Sequence, residues 1–366
     1  MVNFNRYNRQ ILLPQMDIQK QIMLQNSKVL VIGLGGLGCP VLKTLSGAGV
    51  GYIGMVDYDI VSLSNLHRQI LFDESDIGDF KTNAAHKKLI KYNSEIIFKI
   101  YNEQISIDNI FRIIEEFDIV VDCTDNFSSR YLINDVCYVL KKPLVYSAIF
   151  QNEGQLAVFN NFNNNPTNLR DIFPDQPREG EFQNCNEAGV MGVLTSIMGN
   201  FQANEVIKLI IHSTDLLSNK LLIFNSLDYT THFIKFDTND KIKKPTVEEI
   251  YKNNYFIKNC ELNKDRIKDI AEFSYWINKY NALVIDVRNL DEKPRLKNIG
   301  IEFLEIPLNE LDVKLNEIDL TNYNSLIFVC QSGKRSQKAI EITKLKVSNL
   351  KITDIQDGIG ILLVNI

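Results

Sequence analysis

With 366 residues and 45% of them hydrophobic, the chain is long for one domain and sufficient for two cored ones. Forty Lys and Arg against 45 Asp and Glu leave a net charge of -5 with no basic stripe, which excludes a nucleic-acid-binding surface from the expected functions. The six cysteines form no C-x-x-C pair, His67, His86, His212 and His232 lack ligand spacing, and no signal peptide or long apolar span is read, so a cytoplasmic protein with reduced thiols and no membrane contact is expected.

Along the chain, RYNRQILL places Arg6 and Arg9 ahead of the first strand, where spacing alone favours solvent. Residues 29–32 form a short β-branched apolar run, predicting a buried parallel strand. Gly33, Gly35 and Gly38 then fit G-x-G-x-x-G with Gly36 as an extra glycine, and residues 40–48 continue as a helix whose first amides can face a phosphate. A second apolar run ends at Asp57, near the offset at which a carboxylate meets a nucleotide ribose. Taken alone the glycines also suit a nicotinamide dehydrogenase. The polar cluster Asp59, Ser64, Asn65, Arg68 and Gln69, with Lys81 soon after, argues instead for a triphosphate, whose charge exceeds what helix amides neutralise.

A helix is predicted over 81–93 and a buried strand over 118–122, with Asp125 and Asn126 just beyond its carboxyl end. Asp125 can hold Mg²⁺ beside a triphosphate or cap the helix that begins near Ser128. Strands follow at 143–147 and 155–159. Residues 160–184 are rich in Asn, Pro and charge and read as a long loop ending at Cys185, which is either a nucleophile near a helix start or a packed thiol. An apolar helix over 191–211 and a hairpin over 221–236 complete the first domain, expected at 1–240 with a linker at 241–263.

Residues 264–366 alternate again: a helix over 266–280, strands at 282–288, 303–306 and 326–329, and a helix after Arg335. The last strand delivers Cys330 into QSGKRS, with Lys334 and Arg335 adjacent, a setting that favours a thiolate. Four residues separate Cys330 from Arg335, against the five of a cysteine phosphatase. The tighter ring suits one terminal sulfur, so a persulfide carrier is preferred.

These motifs, RYNRQ, GLGGLG, DYDIVSLSNLHRQ, DCTDN and CNEAGV, resemble the MoeB/ThiF family of ubiquitin-activating-like adenylating enzymes. IDVR, IPL, CQSGKRS and DGI resemble a fused rhodanese-like domain. The resemblance implies an α/β fold: a Rossmann-like, mostly parallel adenylation domain, then a small α/β unit. It implies Gly36 at the ATP phosphates, Asp57 on the ribose, Asn65, Arg68 and Lys81 on the triphosphate, and Asp125 on Mg²⁺. Arg9 becomes an arm into a partner subunit's site, Cys185 a thioester acceptor and Cys330 the persulfide cysteine. The expected nucleotide set is Gly33, Gly35, Gly36, Gly38, Asp57, Ser64, Asn65, Arg68, Lys81, Asp125 and Asn126. The expected catalytic set is Arg9, Arg68, Lys81, Asp125, Cys185 and Cys330. Family members commonly carry two C-x-x-C pairs on a structural zinc; residues 160–184 and 237–244 hold no cysteine, so zinc is not expected and packing or mobility must serve there.

The implied reaction is ATP-dependent adenylation of the C-terminal glycine of a ubiquitin-like sulfur carrier, MoaD-like for molybdopterin or ThiS-like for thiamine thiazole, followed by sulfur transfer to a thiocarboxylate. Its partners are that carrier, a persulfide donor such as a cysteine desulfurase, and a second copy of the chain. The alternatives are a non-catalytic docking module for a ubiquitin-like partner, a nicotinamide dehydrogenase, and an enzyme cyclising a tRNA base.

Overall fold

In the computed structural model the chain divides into two compact units, Met1–Phe256 and Ile257–Ile366. Residues 4–163, 166–177, 189–253, 255, 266–293, 303–344, 346–347, 350–356 and 358–363 are described.

The first unit begins with helices α1 (Phe4–Ile11) and α2 (Ile18–Asn26), then β1 (Lys28–Ile32), α3 (Gly38–Ala48), β2 (Tyr52–Val56), α4 (Lys81–Tyr92) and β3 (Ile97–Tyr101). It continues with α5 (Ile110–Glu115), β4 (Ile119–Asp122), α6 (Phe127–Val139), β5 (Leu144–Phe150), β6 (Glu153–Phe159), α7 (Leu169–Ile172), α8 (Gly192–Ile210), β7 (Lys220–Asn225), β8 (Thr231–Lys235) and α9 (Val247–Lys252). The strands make one sheet in the order β3-β2-β1-β4-β5-β6-β7-β8, parallel through β5 and antiparallel beyond it. Both faces are covered, so successive β1 residues feed different cores. Val29 and Val31 pack with α3, α4 and α8, while Leu30 and Ile32 pack with α5 and α6. Strand β3 escapes the sequence reading because it is an edge strand of mixed exposure carrying Lys99.

Composition alone hides what some asparagines of the described part of 160–184 do. Asn160, Asn161 and Asn168 are buried there, while Asn163 is exposed. Asn168 Nδ2 donates to Asn160 Oδ1, Asn160 Nδ2 donates to the Asn134 carbonyl, and Asn134 Nδ2 donates to Asn168 Oδ1, with all three residues buried. Residues 178–184 of that stretch lie outside the described residues.

The stretch read as a linker carries α9, capped by Thr246, with Ile250 buried in the core beneath α6. Two carboxylates, Asp171 and Asp135, tie it to the segment around α7 and to α6. Asp171 accepts from the Asn239 amide at 2.7 Å and from Lys244 at 2.5 Å. Asp135 on α6 accepts from Arg170 Nε at 2.9 Å, Arg170 Nη2 at 2.8 Å and the Tyr255 hydroxyl at 2.5 Å. These bonds link the two segments in which the family resemblance locates a zinc staple. Among the described residues no cluster of three or more His, Cys, Asp or Glu is placed to hold a metal ion.

The second unit carries α10 (Ile270–Tyr280), β9 (Ala282–Asp286), β10 (Phe303–Glu305), α11 (Leu308–Lys314), β11 (Ser325–Val329), α12 (Lys334–Lys344), β12 (Lys351–Asp354) and α13 (Gly360–Leu363). Its four strands run parallel in the order β10-β9-β11-β12. All five residues of β11 are buried, Leu326 and Phe328 toward one core and Ile327 and Val329 toward the other. No described helix in either unit is long and apolar enough to cross a membrane.

Candidate functional site

The sheet order reverses between β1 and β4, and the glycine loop, Asp57 and the DCTDN turn all follow the carboxyl ends of β1, β2 and β4. That is where open α/β sheets hold ligands. The glycines divide by role. Gly33 has φ +93° and a Cβ there would meet the Cys123 carbonyl at 2.7 Å; a Cβ on Gly38 would stand 2.0 Å from the Gly33 carbonyl. These two build the turn. Gly36 lies against the Thr195 side chain, and beside Gly35 the nearest atom to an added Cβ is Gln69 Nε2 at 3.9 Å, so Gly35 leaves the loop's approach open.

Asp57 is 9% exposed and ties the loop to β2, its Oδ2 accepting from the Leu34 amide at 2.7 Å and its Oδ1 from the Asp59 amide at 2.8 Å. Burial raises its carboxyl above the usual range, against the charge of Lys81 and those two amides. Lys81 opens α4 at 4% exposure and donates to Asp59 Oδ2 at 2.8 Å. The short turn Leu63–Asn65 is fastened by Asn65 Oδ1 on the Ser62 amide, and Ser64 is exposed with its hydroxyl 3.0 Å from that of Ser62. Arg68 leans back on the Ser64 carbonyl at 3.1 Å and on His67 Nε2 at 2.7 Å. Gly192, at the start of α8, packs on the backbone of His67 and Arg68.

After β4, Asn126 caps α6 by accepting from the Ser129 amide at 2.8 Å. The cap therefore belongs to Asn126, and Asp125 stands exposed beside it; burial, then the charges of Asp59 and Asp125, raise the Tyr58 phenol. Asp122, fully buried, holds the turn through the Thr124 amide and hydroxyl and through Arg130. Burial raises the Asp122 carboxyl, with Arg130 opposing. The structure thus gathers the glycines, Asp57, Ser64, Asn65, Arg68, Lys81, Asp125 and Asn126 along one sheet edge. Arg9 stands apart, exposed on α1, whose Gln10 bonds the Ala48 carbonyl at the far end of α3. Cys185 lies outside the described residues.

Sequence reasoning missed three supports of this edge. Arg130 donates to the Thr124 and Ser147 carbonyls and stacks over Tyr146, Gln202 donates to the Asp122 carbonyl at 2.8 Å, and Thr195 backs Gly36. Thr195 and Gln202 are seven residues apart, two turns, on one face of α8, and both are buried. That spacing was a usable signal.

In the second unit Cys330 is buried at the end of β11, with Sγ 3.6 Å from Ser336 Oγ. Gly333 has φ +79° and lies so close to the Gln356 carbonyl that a Cβ would be 1.9 Å from it. Arg335 makes a two-pronged pair with Glu292 at 2.5 and 2.7 Å, so its charge is shared with that carboxylate; the Lys334 side chain lies outside the described residues. Arg288, wholly buried, pairs with Asp286 and reaches Gln331 Oε1 at 3.3 Å.

A sequence model of the ThiF family matches residues 7–245. A model named Phenazine biosynthesis protein A/B matches residues 206–297, a span that straddles the boundary between the two units and carries no argument. The chain is 36% identical over 357 residues to "Adenylyltransferase and sulfurtransferase MOCS3" of Culex quinquefasciatus, covering 92% of this chain and 81% of that protein. It is 33% identical over 390 residues to the protein of the same name from Danio rerio, covering 97% and 84%. Among solved structures, E. coli MccB with MccA-N7isoASN aligns at TM-score 0.59 and 23% identity over 67% of this chain and 75% of that one, a likeness of fold. The mostly parallel adenylation-type sheet, its glycine turn and these matches have one reading: the chain belongs to the ThiF family.

Proposed function

We propose that the first unit adenylates the C-terminal glycine of a ubiquitin-like sulfur-carrier protein of the MoaD type with ATP, and that the second unit passes sulfur to the activated glycine, giving a thiocarboxylate. The observation that carries this reading is the pair of cationic side chains, Arg68 and Lys81, on the glycine-loop edge of a chain whose relatives are named adenylyltransferase and sulfurtransferase over most of their length.

The carrier's carboxylate attacks the α-phosphate of ATP, forming an acyl-adenylate and releasing pyrophosphate. No general base is needed, because a terminal carboxyl of pKa ~3.5 is already ionised at neutral pH. The protein's work is alignment and charge neutralisation. The glycine-loop amides and α3 take the phosphates, and Asp57 takes the ribose with the lone pairs left by Leu34 and Asp59. Lys81 exchanges its Asp59 partner for phosphate, and Arg68 turns from the Ser64 carbonyl toward the leaving pyrophosphate. Ser64 and Asn65 shape that turn.

Magnesium fits here through a single carboxylate, since Mg²⁺ is held by one or two carboxylates plus substrate phosphates. Asp125 is exposed and excused from capping by Asn126, so it would hold the ion, which supplies charge neutralisation at the phosphates. Arg9 we assign to a partner's site in a homodimer. Its neighbour Gln10 is fixed to Ala48, and α3 of 11 residues puts its glycine end ~15 Å away, beyond an arginine's reach. Exposed Leu12 and Leu13 beside it suit burial against a second copy. Cys185 we assign to thioester formation on the strength of CNEAGV, and Cys330 to the persulfide, loaded by a persulfide donor such as a cysteine desulfurase. The adenylation domain, expected at 1–240, we assign to the first unit with α9 included, and the rhodanese-like domain, expected at 264–366, to the second; the cytoplasm is the proposed compartment, in keeping with the buried free thiols Cys39, Cys123, Cys137 and Cys330 among the described residues.

The test mixes purified protein, ATP and either a MoaD-like or a ThiS-like carrier, follows pyrophosphate exchange and weighs the carrier. Exchange with the MoaD-like carrier is expected to fall by about 10²–10³ in Lys81→Ala and Arg68→Ala with folding retained. Cys330→Ala is expected to keep exchange and lose the thiocarboxylate. Exchange unchanged in both cation variants would overturn the assignment.

A further inference from the structure

Behind the Cys330 loop runs a chain of hydrogen bonds that the sulfur-transfer reading leaves unused. Ser336 Oγ lies 3.6 Å from Cys330 Sγ, 2.7 Å from Asp354 Oδ2 and 3.0 Å from the Gly333 carbonyl. Asp354 is fully buried, and Arg266 grips both of its oxygens, Nε on Oδ1 at 2.8 Å and Nη2 on Oδ2 at 2.7 Å. The same Nη2 reaches the Gly333 and Gln356 carbonyls, each at 3.1 Å, so Arg266 also fixes the turn at Gly333. Of the other described charges around the loop, Arg335 pairs with Glu292, and Arg288 pairs with Asp286 and also reaches Gln331 Oε1.

A serine has one hydroxyl proton, and here a carboxylate, a carbonyl and a sulfur compete for it. The bond to the carboxylate is the strong one. While Cys330 is a thiol, Ser336 therefore donates to Asp354 and accepts from S–H. Once the thiol loses its proton, the sulfur anion needs a donor, and Ser336 can serve only by turning its proton away from Asp354. Asp354 tolerates the loss because Arg266 leaves it two charge-assisted bonds.

We propose that Asp354, clamped by Arg266, is a positioning residue for Cys330: it sets the direction of the Ser336 proton, which the carboxylate holds until loading and then yields to the sulfur anion. The inference rests on the sulfur-transfer reading of this unit. In the loading step Cys330 attacks the outer sulfur of a persulfide R–S–SH. The new Cys330–S bond forms as the R–S bond breaks, and the departing R–S⁻ takes up the proton that Cys330 gave. The sum is Cys330–SH + R–S–SH → Cys330–S–SH + R–SH, with no net oxidation.

The experiment uses the full chain and measures, peptide by peptide in a mass spectrometer, the rate of iodoacetamide alkylation of Cys330 against pH, and its sulfur loading from glutathione persulfide. Ser336→Ala removes the donor, so alkylation at neutral pH is expected to slow about tenfold and the profile to move to higher pH. Asp354→Asn weakens the competitor, so the profile is expected to move to lower pH and the rate to rise. Ser336→Thr keeps a hydroxyl and is expected to track the parent. Two variants moving in opposite directions are not the signature of a loosened loop. A Ser336→Ala profile matching the parent, or Ser336→Ala and Asp354→Asn slowing alike, overturns the proposal. If Asp354→Asn fails to fold, the Ala and Thr pair at 336 decides alone. If the parent takes no sulfur from the persulfide while its alkylation still responds to both variants as expected, the sulfur-transfer reading fails and the relay stands.

Discussion

Replacing Asp135 tests whether buried charge holds the outer part of the first unit together. Its carboxylate is fully buried and receives Arg170 Nε, Arg170 Nη2, the Tyr255 hydroxyl and Asn134 Nδ2. In Asp135→Ala, Asn134 keeps its Asn168 partner and Arg170 keeps the Pro174 carbonyl, but two guanidinium N–H groups and a phenol lose theirs at a site where the Arg170 side chain is only 17% exposed. Breaking one side of a buried ion pair costs about 3–5 kcal/mol. For a unit of this size that converts to a melting point about 6–20 °C lower. Calorimetry of the full chain reads it directly, and the partner variant Arg170→Met separates the terms. If the penalty is the orphaned charge, Asp135→Ala with Arg170→Met should unfold at higher temperature than Asp135→Ala alone. A single-variant shift under about 2 °C, or a double variant less stable than the single, would refute the reasoning.

The remaining predictions concern the glycine turn, the buried phenols and a buried thiol. Gly38→Ala drives a methyl into the Gly33 carbonyl and is expected to give little soluble protein, while Gly35→Ala meets only Gln69 Nε2 at 3.9 Å and is expected to fold normally yet lose nucleotide affinity in equilibrium dialysis; equal stability of the two would contradict the division of roles. Tyr131, Tyr146 and Tyr255 have phenols raised above the usual value by burial. The folded chain therefore keeps protons that the unfolded chain gives up, so their contribution is whole below about pH 10 and drains away above it. Urea midpoints should fall steeply above about pH 10, and a flat profile there would contradict this. Burial pushes the Cys39 thiol up to about 12, so at pH 8 it is expected to resist iodoacetamide in the native state and react only after denaturation, as intact-mass labelling would show.

The nucleotide edge was readable because its chemistry is local. Gly33, Gly38 and Asp57 are needed within one strand–turn–helix–strand: Gly33 by its positive φ, Gly38 by the Gly33 carbonyl, and Asp57 by the Leu34 and Asp59 amides. The supports were less readable because they are distant in sequence. Gln202 reaches Asp122 from 80 positions away and Tyr255 reaches Asp135 from 120, and no spacing rule connects such pairs. Within 160–177, read as a loop, the buried asparagines were hard to foresee for a related reason. Asparagine in a loop is a solvation signal only while its amide has no protein partner, and here Asn160 and Asn168 satisfy each other and the backbone of α6. Asp125 went the other way. It was read as either a Mg²⁺ ligand or the cap of α6, and the cap is made by its neighbour Asn126.

The site and the lock meet in α6. That helix begins at the turn carrying Asp125 and Asn126 and contains both Arg130, which grips the turn, and Asp135, which anchors the tail. A helix is stiff along its axis, so fixing Asp135 also fixes the origin from which Asp125 projects. Asp135→Ala is then expected to weaken adenylation below its own melting point, with the loss in KM for ATP, because positioning of the phosphate partners suffers before the fold does. Pyrophosphate exchange measured at stepped temperatures checks this. If exchange in Asp135→Ala follows the folded fraction and nothing more, the lock serves stability alone and its place on α6 has no catalytic consequence.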